Sequence, residues 1–335
     1  MSHDAPVFRP PFWLRGAHAQ TLAPFLWHRR VRLPWRHERL ELPDGDFVDL
    51  AHIDGLTGPR VCLFHGLEGN IDSHYIGGLA HALVLRGMPV TLMHMRGCSG
   101  EPNRLPRAYH SGDTGDMRVL FDRLRERDPD RPLLAVGFSL SGNALLKYLG
   151  EARGDTPLHA AVAVSVPFDL AAAASHINRG FSRIYQAHLV RRMKASTRAR
   201  IRRLGDLPID HERLARARSF REFDDAVTAP LHGFAGVDDY YTRSSCRPWL
   251  RRIEIPTLVV HARDDPFVGP HAIPSRSEVG PGVELAISAH GGHVGFVAAR
   301  AGLRPCRWLN HRIPDWLATT APHRRPANPA TEKHA

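Results

Sequence analysis

One segment near the middle of the chain reads LLAVGFSLSGNALL, from Leu133 to Leu146. A short apolar run leads to Gly137, Ser139 comes shortly after it, and small residues then open a helical pattern. This order predicts a strand, a sharp turn and a helix, with the serine at the turn. Such a strained turn lifts a serine hydroxyl above a sheet and points a helix N-terminus at it. The segment therefore predicts a nucleophilic serine at position 139.

The turn departs from the usual G-x-S-x-G pattern at one position. The glycines here are Gly137 and Gly142, and Ser141 stands where the second glycine is expected. Residues beside the nucleophile must be small because strand and helix pass close together, and serine is small. The pattern G-x-S also recurs by chance in glycine-rich chains, so the nucleophile needs support from the rest of the sequence.

The composition is typical of a globular protein. Its 335 residues are enough to bury a sizeable α/β core. The net charge is +11, carried almost entirely by arginine, and it favours anionic partners only weakly. The four cysteines are widely spaced, which indicates reduced thiols rather than disulfides. Because the sequence shows neither a secretory signal nor a run of about 18 apolar residues, we expect a cytoplasmic protein. It leaves the oligomeric state open.

The predicted elements indicate an α/β fold with a mostly parallel sheet and helices on both faces. Buried-strand patterns alternate with helical patterns up to about residue 167 and resume near residue 257. Residues 168–250 lack a strand pattern and are interpreted as a helical lid, with helices at 170–176, 184–193, 201–204 and 220–228. The expected organisation is an N-terminal arm (1–35), a core in two parts (36–167 and 251–320), the lid between them, and a disordered tail (321–335).

Residues 191–203 carry the densest positive charge in the chain. The simplest interpretation is a solvated helix face. The alternative is weak contact with an anionic membrane surface or acidic ligands. Nucleic-acid binding is not expected, because no nucleic-acid reading module accompanies the run.

Polar motifs follow the predicted strands, each at the point where a strand ends. In an open parallel sheet all these ends lie at one edge, where ligands bind. A serine, an acid and a histidine therefore converge there, in the order that α/β-hydrolase triads follow along the chain. Serine is a weak nucleophile that needs a histidine to take its proton and an acid to orient the imidazole. The motifs are His65-Gly66, Arg96-Gly97, Ser139, Asp264-Asp265 and His293.

Two of these positions have a neighbouring competitor. Asp265 is favoured over Asp264 as the acid because it directly precedes the Pro-Phe-Val turn. His293 is favoured over His290 as the base because the two glycines before it let the loop turn back over the sheet edge. The competing residues remain candidates for supporting roles.

An oxyanion hole requires two backbone N–H groups directed at the developing charge. Leu140 follows the nucleophile and is one candidate. Leu67 is the other, since it lies in the loop after the strand at 61–64, where His65 and Gly66 are expected to support it. No cofactor or metal is expected: the P-loop lysine, the dinucleotide glycine pattern and zinc-binding spacings are all missing from the sequence.

Several long motifs, in one order from about Phe8 to about Leu317, resemble the YheT-like branch of the α/β-hydrolases, which is related to ABHD-type hydrolases of eukaryotes. The motifs are HGLEG at 65–69, RGCSGEPN at 96–103, GFSLSGN at 137–143, HARDDPF at 261–267, HGGHVGF at 290–296, and the lid segments GFSRIYQ at 180–186 and REFDD at 221–225. Members of this branch typically have glycine where Ser141 stands.

The resemblance implies an α/β-hydrolase fold, a serine triad and esterase activity, and in the eukaryotic relatives it points towards phospholipid esters. We expect Ser139, Asp265 and His293 to cleave small-molecule esters of short to medium aliphatic acyl chains. A thioesterase, a phospholipase-type acyl hydrolase and a non-catalytic ligand-binding protein on the same scaffold are the alternatives.

Overall fold

A computed structural model describes residues 8–27, 30–299 and 305–321 of the chain. Its centre is an eight-stranded sheet in the order β1-β2-β4-β3-β5-β6-β7-β8, and a separate hairpin pairs β9 with β10. The strands are β1 (Arg36–Glu41), β2 (Phe47–Ile53), β3 (Arg60–Phe64), β4 (Val90–Met93), β5 (Leu133–Phe138), β6 (Leu158–Val164), β7 (Thr257–Ala262), β8 (Val283–Ser288), β9 (Val297–Ala299) and β10 (Pro305–Arg307). The contacts of β1 with β2 and of β2 with β4 are antiparallel. All other strand pairs of the large sheet are parallel, which confirms the predicted fold class.

The α-helices are α1 (Ala17–Leu26), α2 (Ile76–Val84), α3 (Gly115–Arg127), α4 (Leu140–Ala152), α5 (Leu170–Ile177), α6 (Ser182–Leu204), α7 (His211–Arg216), α8 (Phe220–Phe223), α9 (Ala229–Leu231), α10 (Val237–Ser244) and α11 (Leu309–Thr320). A π-helical turn (Asp224–Thr228) joins α8 to α9. Short 3₁₀ helices lie at Phe12–Leu14, Arg247–Arg252, Pro270–Ala272 and Arg276–Glu278.

The strand β5 shows how the sheet builds a core on each face. Successive strand side chains point to opposite faces. Leu133 and Ala135 pack with α3 and α4 on one face. Leu134 and Val136 pack with α2 and α11 on the other. Every residue of β5 is buried, as a parallel strand covered on both sides must be.

The lid contains helices that were not predicted, among them α7 and α10, and it also differs from the prediction at α6. Instead of two helices at 184–193 and 201–204, a single helix of 23 residues, α6, runs from Ser182 to Leu204. The intervening residues include Arg, Ala and Lys, which favour a helix even without apolar spacing. Because no apolar period marks this polar stretch, the sequence pattern showed only the two ends of the helix.

The N-terminal arm contains α1, which packs against the β9 region through the fully buried Gln20. The first seven residues, and the expected tail beyond Ala321, lie outside the described residues. Within the described ranges, no helix combines the length and hydropathy needed to cross a bilayer.

Candidate active site

The turn between β5 and α4 holds Ser139 in a backbone conformation that few residues adopt. Its φ and ψ are 53° and −118°, a sparsely populated region that costs free energy and is typical of functional sites. A Cβ on Gly137 would lie 2.7 Å from the backbone oxygen of Ser141, and one on Gly142 would lie 2.8 Å from a methyl of Val166. Glycine is therefore required at both positions.

Ser141 fits where the usual pattern has glycine. Its side chain is fully buried, and its hydroxyl donates a hydrogen bond to the backbone oxygen of His65. The serine thus ties the start of α4 to the loop after β3, so it strengthens the turn instead of distorting it.

Ser139, His293 and Asp265 form a continuous chain of hydrogen bonds. Nε2 of His293 lies 3.0 Å from the hydroxyl oxygen of Ser139. On the other side of the ring, Nδ1 lies 2.9 and 3.1 Å from the two carboxylate oxygens of Asp265. Asp265 is acceptor-only when ionised, so the network assigns the ring proton to Nδ1 and leaves Nε2 to accept from Ser139.

Asp264 and His290, the competing candidates for acid and base, form a second acid–histidine pair beside that of Asp265 and His293. Nδ1 of His290 lies 3.3 Å from a carboxylate oxygen of Asp264, and the other oxygen accepts from the backbone N–H of Gly292 at 3.0 Å. His290 is 44% exposed, whereas His293 is 10% exposed. The structure therefore brings Asp265 and His293 to Ser139 and uses Asp264 to shape the loop that carries His293.

Two hydroxyl groups far away in sequence hold the His293 loop. The backbone N–H of His293 donates to the Thr21 hydroxyl at 3.0 Å, and that of Val294 donates to the Ser165 hydroxyl at 2.9 Å. A Cβ on Gly292 would lie 2.6 Å from the backbone oxygen of Ala17. The loop is thus clamped between α1 and the end of β6. Sequence reasoning missed both contacts, since threonine and serine carry no motif at these positions.

The predicted oxyanion residues, Leu67 and Leu140, line the same cavity as Ser139. Across the described residues, neither backbone N–H donates a hydrogen bond to another protein atom. Both groups are therefore available to a bound oxygen.

His65 and Gly66 support the loop that carries Leu67. The fully buried His65 donates from Nδ1 to the Gly66 oxygen at 2.8 Å, and its Nε2 accepts from Met95 N–H at 3.1 Å. Burial lowers the pKa of His65 to about 4, so the ring is neutral at pH 7. A Cβ on Gly66 would lie 3.3 Å from the Cβ of Ser139, so this loop passes directly beside the nucleophile.

Lid helices cover Ser139 and enclose a mainly apolar cavity. Its walls include Ala173 and Ile177 of α5, Met193 of α6 and Val227 of the π-helical turn. The ring of Phe267 stacks on His293, with centroids 4.0 Å apart and planes inclined by 11°. The cavity can hold an aliphatic chain whose reactive group reaches Ser139.

Known proteins resemble this chain along nearly its whole length. A model of the α/β-hydrolase fold family matches residues 59–298. The chain is 45% identical to a protein of Escherichia coli K12 named "Putative esterase YheT", over 93% of each chain. It is 30% identical to human "Phospholipase ABHD3", covering 87% of this chain and 74% of that one.

Among solved structures, an esterase of Pyrococcus furiosus, Pf2001, superposes with a TM-score of 0.55 at 15% identity, over 94% of this chain and all of that one. This likeness concerns the fold alone. The family model and the bacterial relative, with the sheet order described above, establish that the chain belongs to the YheT-like branch of the α/β-hydrolase family.

Proposed function

We propose that this α/β-hydrolase is a serine carboxylic-ester hydrolase with Ser139 as nucleophile, His293 as general base and Asp265 as the acid that orients it. The observation that carries the proposal is the hydrogen-bond chain from Asp265 through His293 to Ser139. In such a chain the imidazole takes the serine proton, and the buried carboxylate stabilises the imidazolium that results.

In the proposed reaction, Ser139 Oγ bonds to the ester carbonyl carbon as its proton moves to Nε2 of His293. The N–H groups of Leu67 and Leu140 stabilise the tetrahedral oxyanion. The bond to the alcohol oxygen then breaks, the alcohol takes the proton from His293, and an acyl-Ser139 remains. A water molecule gives a proton to His293 as it attacks the acyl carbon. The bond between that carbon and Ser139 Oγ then breaks, the carboxylic acid leaves, and His293 returns the proton to Oγ.

The apolar walls of the cavity favour aliphatic acyl chains of short to medium length. The same machinery cleaves thioesters, which makes thioesterase activity an alternative. Phospholipase-type activity is a second alternative, supported by the name of the human relative. A non-catalytic binding protein would keep the cavity but would not need the aligned hydrogen bonds of the three polar residues.

Hydrolysis of p-nitrophenyl esters with acyl chains of increasing length tests the proposal. We expect turnover by the wild type and none by Ser139→Ala. The variant Val227→Phe replaces a small aliphatic side chain of the cavity wall with a larger aromatic ring. It should move the substrate preference towards esters with shorter acyl chains. Ile184→Phe is the matched control, because Ile184 lies on the lid but is 58% exposed. Equal turnover by wild type and Ser139→Ala would refute the assigned nucleophile.

A further inference from the structure

Helix α6 contributes one wall of the cavity. Along the helix, the side chains of this wall change from apolar to cationic. Leu189, Met193, Ser196 and Arg200 all line the cavity. Their spacing of three or four residues places them on one face of the helix. At 1.5 Å per residue this stripe is ~16 Å long. A ligand lying along it therefore meets apolar side chains at one end and a guanidinium at the other.

Arg200, which lines the cavity, is partly buried. Within residues 8–27, 30–299 and 305–321, its guanidinium forms neither a hydrogen bond nor an ion pair. Its Nη2 lies against the loop after β4, 3.5 Å from where a Cβ on Gly97 would stand. Burial lowers the pKa of Arg200 from the ordinary value for arginine, although the group stays charged at neutral pH.

Several other arginines of the chain donate to acceptors within the protein. The buried Arg96 is paired with Asp116 at 2.7 Å and with Asp44 at 2.8 Å. On α6 itself, Arg192 donates to the Glu68 backbone oxygen and Arg203 donates to that of Asn103. A partly buried cation without such an acceptor is costly unless a ligand supplies one.

The nearby carboxylate of Glu68 is already bonded to other groups. It accepts from the Ser196 hydroxyl at 2.7 Å and from the Tyr109 hydroxyl at 3.1 Å. Glu68 forms no direct ion pair with Arg200 among the described residues, and its charge acts on the guanidinium from a distance: burial lowers the pKa of Arg200, and the Glu68 carboxylate partly opposes that shift. Arg200 itself lines the cavity, so a ligand bound there can reach its N–H donors, which no acceptor among the described residues occupies.

We infer that Arg200 binds an oxyanionic group of the substrate, a carboxylate or a phosphate, at the cationic end of the cavity. A guanidinium offers two parallel N–H donors to either group. The substrate class is accordingly an aliphatic acyl ester that carries a negative charge. This inference rests on the proposed function, because it takes the cavity around Ser139 to be the ester-binding site.

Calorimetric binding of three six-carbon probes tests the inference without requiring turnover: hexyl phosphate, hexanoate and hexanol. We expect at least one anion to bind the wild type at least tenfold more tightly than hexanol, and Arg200→Met to lose this preference. Arg202→Met is the control, since Arg202 is exposed on the same helix, and should bind like the wild type. A preference for hexyl phosphate would indicate a phosphate-bearing substrate, and one for hexanoate would indicate a carboxylate.

Two further measurements keep the outcome unambiguous. Arg200→Lys keeps the charge and should restore part of the preference, which separates the loss of an anion site from misfolding. Labelling of Ser139 by a fluorophosphonate in the same proteins reports on the proposed function independently. The inference is overturned if the wild type shows no preference for either anion over hexanol, or if Arg200→Met binds the preferred anion as tightly as the wild type.

Discussion

The imidazole of His293 reaches the hydroxyl of Ser139 at 3.0 Å across 154 positions of sequence. The serine lies at the end of β5 and the histidine in the loop after β8, so the sheet itself brings them to one edge. Two clamps on the histidine loop, from Thr21 and Ser165, maintain this distance.

The two neighbouring acids should differ sharply in their effect on catalysis. Asp265→Asn should lower kcat by about 10³- to 10⁴-fold, because an amide cannot hold the imidazole in the required tautomer. Asp264→Asn serves as the matched control and should cause a much smaller loss, since Asp264 contacts His290 and the Gly292 N–H but not His293. Steady-state kinetics with one p-nitrophenyl ester checks this, and equal losses would contradict the assignment of the acid.

Thr21 should act as a positioning residue. Thr21→Val removes the acceptor of the His293 N–H and should lower kcat about 10- to 100-fold by displacing the imidazole. KM should change little, because Thr21 does not line the cavity. Thr21→Ser keeps the hydroxyl and should recover most of the activity. Wild-type activity in Thr21→Val, or a loss in Thr21→Ser as large as that in Thr21→Val, would contradict the positioning role of the hydrogen bond.

Ser141 should contribute to stability more than to catalysis. Ser141→Gly removes the hydrogen bond to the His65 oxygen and adds a flexible residue to the first turn of α4. We expect it to lower the free energy of unfolding by about 1–3 kcal/mol, with little change in kcat/KM. Ser141→Ala separates the two contributions, because it loses only the hydrogen bond. Urea unfolding that gives Ser141→Gly at least the stability of the wild type would refute this role.

The carboxyl group of Asp224 should make stability depend on pH. Asp224 lies in the cavity wall, accepts from Thr228 and Tyr241, and burial raises its pKa to about 6. The folded state therefore holds a proton that the unfolded state has lost between about pH 4 and pH 6, and this contribution to stability disappears as pH rises through that range.

Asp224→Asn removes this contribution, so its free energy of unfolding should rise relative to that of the wild type by about 3 kcal/mol at most between pH 4 and pH 7. Asp122→Asn, at an exposed position of α3, is the control and should track the wild type. If the free energies of unfolding of wild type and Asp224→Asn differ by the same amount from pH 4 to pH 7, Asp224 does not titrate as described.

Much of the site could be predicted because its residues follow buried strands. The apolar runs ending before Ser139 and Asp264-Asp265 predicted where these side chains meet, since parallel strands end at one edge. Thr21 could not be found this way: its contact with His293 depends on how α1 packs against a loop 272 positions away.

The role of Arg200 could not be predicted from the sequence for a different reason. The density of positive charge at 191–203 predicts a solvated face or a surface for anionic lipid, because the sequence alone does not tell which arginines turn inward. Only the direction of the α6 face, set by the packing of the lid over Ser139, distinguishes Arg200 from its exposed neighbour Arg202.

The most direct test of the proposed function is labelling by a fluorophosphonate, followed by peptide mass spectrometry of wild type and Ser139→Ala. The hydrogen-bond chain from Asp265 to Ser139 should make this hydroxyl the reactive one. We therefore expect one modified residue in the wild type, Ser139, and no label in the variant. A folded wild-type protein that takes no label, or takes it on another residue, would contradict the assignment of Ser139 as the nucleophile.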